Sequence, residues 1–111
     1  MKVRYYIDDG YVNMQSDFMD AGIDLLELLA SDISSKESIE RFNQCIFQDY
    51  NIWCSNLSEV KIIEKKVVIS SAFSLDNGIV PSRSMHAMTL KKIICDWKEF
   101  IENKQERKNE Y

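Results

Sequence analysis

Apolar residues in this chain alternate with polar ones near the start and again past the middle, and elsewhere they recur at helical spacing. Val3, Tyr5 and Ile7 fall on one side of an alternating run and Arg4 and Tyr6 on the other, which predicts a strand. Asp8-Asp9-Gly10 follows with turn chemistry, and Tyr11 to Met14 fits either a short second strand or a loop. Phe18, Ala21, Gly22, Leu25, Leu28 and Leu29 then recur at helical spacing behind Ser16 or Asp17, either of which can cap. The predicted helix covers residues 17–31, with Asp20, Asp24 and Glu27 forming one exposed acidic stripe opposite the apolar face. Ser34 with Glu37 three residues later reads as a capping box for a second helix over 35–50. Its buried side is Ile39, Phe42, Ile46 and either Phe47 or Tyr50. Residues 51–56 read as a connection, with Trp53 anchoring at the core or its rim.

The period then returns to two. Val60 and Ile62 alternate with Lys61, and Val67, Ile69, Ser71 and Phe73 alternate with Val68, Ser70 and Ala72, around a polar Glu64-Lys65-Lys66 hairpin. Asp76-Asn77-Gly78 is another turn signal, and a third strand is expected over 83–88, entered through Pro81. Leu90, Ile93, Ile94, Trp97, Phe100 and Ile101 follow helical spacing, with Thr89 placed to cap. Residues 103–110 have no apolar face. These elements predict an α+β fold: an N-terminal strand, two helices, an antiparallel sheet of three to four strands and a C-terminal helix packed on it. Residues 1–104 should form one domain and 105–111 a disordered polar tail.

Composition narrows the class. With 111 residues and 45% of them hydrophobic, the chain can build one core. No apolar run approaches the ~20 residues of a membrane-spanning helix, and Met1 to Tyr6 leads into acidic sequence, so a soluble protein that is not exported is expected. Cys45, Cys54 and Cys95 are odd in number and form no C-x-x-C, so they are expected as reduced core thiols in a cytoplasmic protein. Charge is divided unevenly. Residues 1–56 carry four bases against ten acids, whereas 57–111 carry ten bases against eight. An acidic first half repels a phosphate backbone, which disfavours direct nucleic-acid binding and favours a basic macromolecule as partner.

No catalytic or metal signature stands out. Asp8-Asp9-Gly10 lacks the alternating ligands of a calcium loop, and His86 is the only histidine, so neither metal nor cofactor is expected. Acids on a solvated stripe both stay ionised, which does not suit paired acid–base chemistry. Ser84 and His86 share one side of a predicted strand, so a small hydrolase centred there is a lesser alternative. Three glycines leave no phosphate loop. The chain is expected not to be an enzyme. Tyr5 and Phe18 are expected in the core, whereas Tyr6 and Tyr11 lie near the acids, where aromatic anchors within charge suit a protein–protein interface.

The order of elements is similar to that of the immunity proteins of bacterial toxin systems, those of contact-dependent growth inhibition in particular. Leu25-Leu26-Glu27-Leu28-Leu29-Ala30-Ser31-Asp32 and Ile93-Ile94-Cys95-Asp96-Trp97-Lys98-Glu99-Phe100-Ile101 carry the likeness, which extends over residues 1–104 as texture and includes no diagnostic motif. The resemblance implies a non-catalytic inhibitor that binds the C-terminal domain of its cognate toxin in the cytoplasm. Many such toxins are nucleases with basic surfaces. Charge and helical spacing nominate Asp8, Asp9, Tyr11, Asp17, Asp20, Asp24 and Glu27 as the contact patch. An acidic adaptor or subunit that docks on a basic host protein is the alternative.

Overall fold

A computed structural model describes residues 1–111. The fold is α+β. Strands β1 (Lys2–Asp8) and β2 (Tyr11–Ser16) form a hairpin whose two-residue turn, Asp9-Gly10, has φ of +50° and +80°. That left-handed geometry suits an aspartate followed by a glycine and matches the twist of the flanking strands. Tyr11 to Met14 therefore belongs to a strand and not a loop.

The predicted helix over 17–31 is shorter than expected. Met19–Asp20 (β3) and Ile23–Asp24 (β4) form a second small hairpin around Ala21-Gly22, with φ of +51° and +78°, and helix α1 spans only Leu25–Asp32. Two consecutive left-handed residues cannot continue a right-handed helix. Phe18 is buried from a loop, and Leu25, Leu26, Leu29 and Ala30 form the apolar face of α1.

Helix α2 (Lys36–Gln44) is capped by Ser35 with Ser38, one position beyond the expected Ser34–Glu37 pair, and runs on through a wider π-type turn over Cys45–Asp49. Ile39, Phe42 and Ile46 are buried, Phe47 is half-buried and Tyr50 is exposed. Trp53 lies in a short strand, β5 (Ile52–Cys54), and packs edge-on against Phe42 with ring centroids 5.4 Å apart. Strands β6 (Ser58–Ile63), β7 (Lys66–Ser71) and β8 (Ser82–His86) complete a four-stranded antiparallel sheet in the order β5-β6-β7-β8. Helix α3 spans Ala87–Asn103. Its cap is His86 and not Thr89: the Met88 N–H donates to His86 Nδ1 at 3.1 Å.

The expected disordered tail is instead a strand. β9 (Arg107–Glu110) pairs antiparallel with β1, giving a three-stranded sheet in the order β2-β1-β9. Polar side chains do not prevent this, because strand pairing is made by the backbone and because alternate residues of β9 find polar partners on α3. Arg107 bridges Asp96 at 3.1 Å and Glu99 at 3.4 Å, Asn109 donates to Asp96, and the Tyr111 hydroxyl donates to Asp96. The Tyr111 hydroxyl also shares a hydrogen bond with that of Tyr5.

All 21 buried apolar side chains form one cluster, so the two larger sheets and the three helices share a core. Tyr5, Trp97 and Phe100 meet at its centre, with ring centroids 5.9 to 6.3 Å apart. Trp97 settles its indole N–H on the Ile33 carbonyl at 2.8 Å, whereas the buried Trp53 indole N–H has no partner. None of the three cysteines is a core thiol. Cys45 is half-buried, while Cys54 and Cys95 are exposed. Cys54 alternates with the inward Trp53, and Cys95 falls outside the buried stripe of α3.

Candidate functional site

The seven nominated residues do not form one helical stripe. Asp8, Asp9 and Tyr11 sit at the tip of the β1–β2 hairpin, and Asp17, Asp20, Asp24 and Glu27 gather around the β3–β4 hairpin at the other end of β2. Asp17 is six residue steps along extended chain from Tyr11, or roughly 20 Å. The two groups differ in what their carboxylates do.

At the β3–β4 end most carboxylates are acceptors for the chain's own backbone. Asp17 takes the Lys2 N–H at 3.0 Å, and Asp20 takes the Ser82 N–H at 2.9 Å, joining β3 to the start of β8. Asp24 takes three donors: the Ser16 N–H at 2.7 Å, the Ser16 hydroxyl at 2.6 Å and, as the cap of α1, the Glu27 N–H at 3.1 Å. Beyond the nominated set, Asp32 follows the same rule with the Leu57 N–H and the Ser58 hydroxyl. Much of the negative charge that looked uncompensated in the sequence is thus met by N–H and O–H dipoles, which are strong donors to a carboxylate. Arg83 adds to this seam by donating to the Asp17 carbonyl at 3.1 Å while its guanidinium lies 5.0 Å from the Phe18 ring.

The remaining three carboxylates have no such partner. Asp8 and Asp9 are exposed, and every ion pair of the molecule lies elsewhere, at Lys98–Glu40, Arg107–Asp96 and Arg107–Glu99. Glu27 is exposed on the first turn of α1, where partial burial, and then the nearby Asp24 charge, push its carboxyl above the usual range. Ionised Glu27 is therefore held at some expense. Tyr11 stands beside Asp8 across the hairpin and is 74% exposed. Met19, 43% exposed, borders a shallow groove of about 290 Å³ with Gln15, Ile23, Asp24, Glu27 and Leu28. This is an open surface with aromatic and apolar contacts among unpaired acids, a composition suited to a protein partner.

Other sequence candidates fall in place around it. Tyr5 and Phe18 are buried, and Tyr6 is half-buried beneath the Arg4 guanidinium, 4.3 Å from its ring. Sequence reasoning missed a basic counterpart on the outer face of the same sheet. β9 brings Lys108 directly opposite Arg4 and Glu110 opposite Lys2, so that face carries three cations and one acid at one end and Asp8 at the other. Lys2 and Arg4 were legible on the outer side of β1, and the addition of Lys108 depends on the pairing with β9. Ser84 and His86 do share the outer face of β8, but the His86 Nδ1 is taken by its capping bond. No group of three His, Cys, Asp or Glu is arranged to hold a metal. No helix is long and apolar enough to cross a membrane.

Comparison with known proteins adds no family. No family model, curated protein or solved structure matches this chain. The site stands on its own geometry.

Proposed function

We propose that this protein is a non-catalytic immunity protein of the bacterial cytoplasm that binds and neutralises a cognate toxin domain with a basic surface, a nuclease in kind. One observation carries the reading: Asp8, Asp9 and Glu27 are unpaired carboxylates set beside exposed Tyr11 and Met19. Like charges kept without a partner, one of them at the expense of burial, are relieved when another surface supplies Lys and Arg. Reach also supports it. A standard interface of ~800 Å² per partner is about 32 Å across, so the β1–β2 tip and the β3–β4 hairpin, roughly 20 Å apart, fit within one footprint. A nuclease must hold phosphates with cations, and carboxylates placed there exclude the substrate by occupying the same charges. The sequence resemblance carried by residues 25–32 and 93–101 supplies the toxin context.

The test is co-purification with the product of the gene immediately upstream, followed by assay of that product's nuclease activity with and without this chain. Binding should be tight and inhibition complete. Changing Asp8→Asn, Asp9→Asn and Glu27→Gln together should slow association by about tenfold or more and flatten its dependence on salt, with the fold intact. Failure of the wild-type chain to bind, or unaltered association by the triple variant, would overturn the reading.

A further inference from the structure

The ten residues that join β7 to β8, 72–81, carry more exposed apolar surface than a connecting loop requires. Phe73, Ile79 and Val80 are 43%, 51% and 49% exposed, and Leu75 beside them is half-buried. Loop residues with no contacts to make are ordinarily polar, and adjoining apolar side chains left in water mark a contact surface.

This connection is also built to hold its shape. The Leu75 N–H donates to the Ile79 carbonyl and the Gly78 N–H to the Leu75 carbonyl, both at 2.8 Å, closing the turn at Asp76-Asn77-Gly78. Asn77 Oδ1 accepts the Ile79 N–H, and Gly78 takes φ +79°. At the base, the Ser71 N–H donates to the Pro81 carbonyl, the Ala72 N–H to the Leu57 carbonyl, and the Phe73 N–H to the Ser71 hydroxyl. A segment tied at tip and base loses little entropy when it binds, which is the condition for an anchor.

Charge says what it meets. Residues 72–82 contain no Lys, Arg or His and one acid, Asp76. Ser82, where the arm enters β8, donates its N–H to Asp20, so the arm stands next to the β3–β4 hairpin with Met19, Asp20 and Asp24. Arg83, the cation that follows the arm in sequence, is already engaged with the Asp17 carbonyl and the Phe18 ring. A second copy docked through this same face by two-fold symmetry would bring Asp20, Asp24 and Asp76 against their own copies, whereas a basic surface with an apolar cleft matches both components.

We infer that the 72–81 arm is the apolar anchor of the interface, with Phe73 and Ile79 inserting into a cleft on the toxin domain whose rim carries Lys and Arg. The inference rests on the function proposed above and adds to it the element that supplies burial, where the acids supply steering.

The full chain and a Phe73→Ser, Ile79→Ser variant are compared for binding to the purified product of the upstream gene by surface plasmon resonance, with thermal melts and sedimentation run in parallel. Both side chains are well exposed, so the variant should melt as the wild type does. Its dissociation should be at least about tenfold faster with association little changed, the reverse of what is expected of the acidic triple variant. A wild type that binds and a variant that binds equally well would overturn the anchor while leaving the proposed function standing. A wild type that does not bind overturns both. A wild type that sediments as a dimer, with the variant a monomer, would show that the arm is covered by a second copy and would also overturn the anchor.

Discussion

Replacing Asp24 by Ala tests whether the acids around the β3–β4 hairpin are framework. The substitution removes the cap of α1, a loss of about 1 kcal/mol. It also strands the Ser16 N–H and hydroxyl, which sit 2.7 and 2.6 Å from the carboxylate. Hydrogen bonds to a charged acceptor contribute about 1.5–3 kcal/mol each, and this half-exposed site belongs at the low end because water can replace part of the loss. Relief of the repulsion on Glu27 returns a few tenths. The expected loss is about 2–4 kcal/mol, or a melting temperature lower by about 10–20 °C in a domain of this size. Asp24→Asn, which keeps an oxygen for the cap but not the charge, should fall between. Asp9→Asn, at an exposed turn position where asparagine also tolerates positive φ, should stay within about 0.5 kcal/mol. Urea titration followed by circular dichroism measures all three. An Asp24→Ala protein that unfolds within a fraction of a kcal/mol of the wild type, or one no worse than Asp9→Asn, would refute the division between framework and free carboxylates.

Other parts of the molecule give equally direct expectations. Burial, and then the hydrogen bond to Asp96, push the Tyr111 hydroxyl up to about 12, and burial raises Tyr5 as well; the folded state thus holds these protons more tightly than the unfolded chain does. Their contribution to stability is complete below about pH 10 and is lost as pH rises towards 12, so two of the five tyrosines should ionise only with alkaline unfolding, and five independent titrations near pH 10 with the fold intact would contradict this. Glu27→Gln removes a carboxyl whose raised proton affinity makes its ionised form unfavourable, so stability at pH 7 should rise, by no more than a few tenths of a kcal/mol because solvent screens this exposed group, and the gain should vanish as pH falls through the carboxylate range; a loss at pH 7 would count against it. His86→Ala removes the cap of α3 and should lower stability by about 1 kcal/mol in denaturant titration, with His86→Ser restoring most of it; equal stability of Ala and Ser would show that the imidazole bond is idle.

The sequence was legible where burial imposes a period. Leu90, Ile93, Ile94, Trp97 and Phe100 are all buried on α3, and Val60, Val67 and Ile69 are buried from their strands, as their spacing required. It misled where a helical period was accidental. Phe18, Ala21, Gly22 and Leu25 fit 3.6 residues per turn, yet Gly22 marks a tight turn, and the pair Asp24 and Glu27, three apart before an apolar run, was a usable signal for a later helix start. The acids were read as a stripe because charge alone cannot distinguish a solvated carboxylate from one that accepts a backbone N–H sixty residues away, as Asp20 does from Ser82. β9 was illegible because Arg107, Lys108, Asn109 and Glu110 carry no apolar alternation; its placement depends on Asp96 and Tyr5, which only the folded chain brings near.

The pairing of β1 with β9 has a consequence for synthesis. Tyr5 and Tyr111, which share a hydrogen bond, are 106 positions apart, so at about 5–20 residues per second a ribosome takes roughly 5–20 seconds to deliver the second after the first. Through that interval one edge of β1 has no neighbour, and nascent chains crowded on one message could find each other there instead.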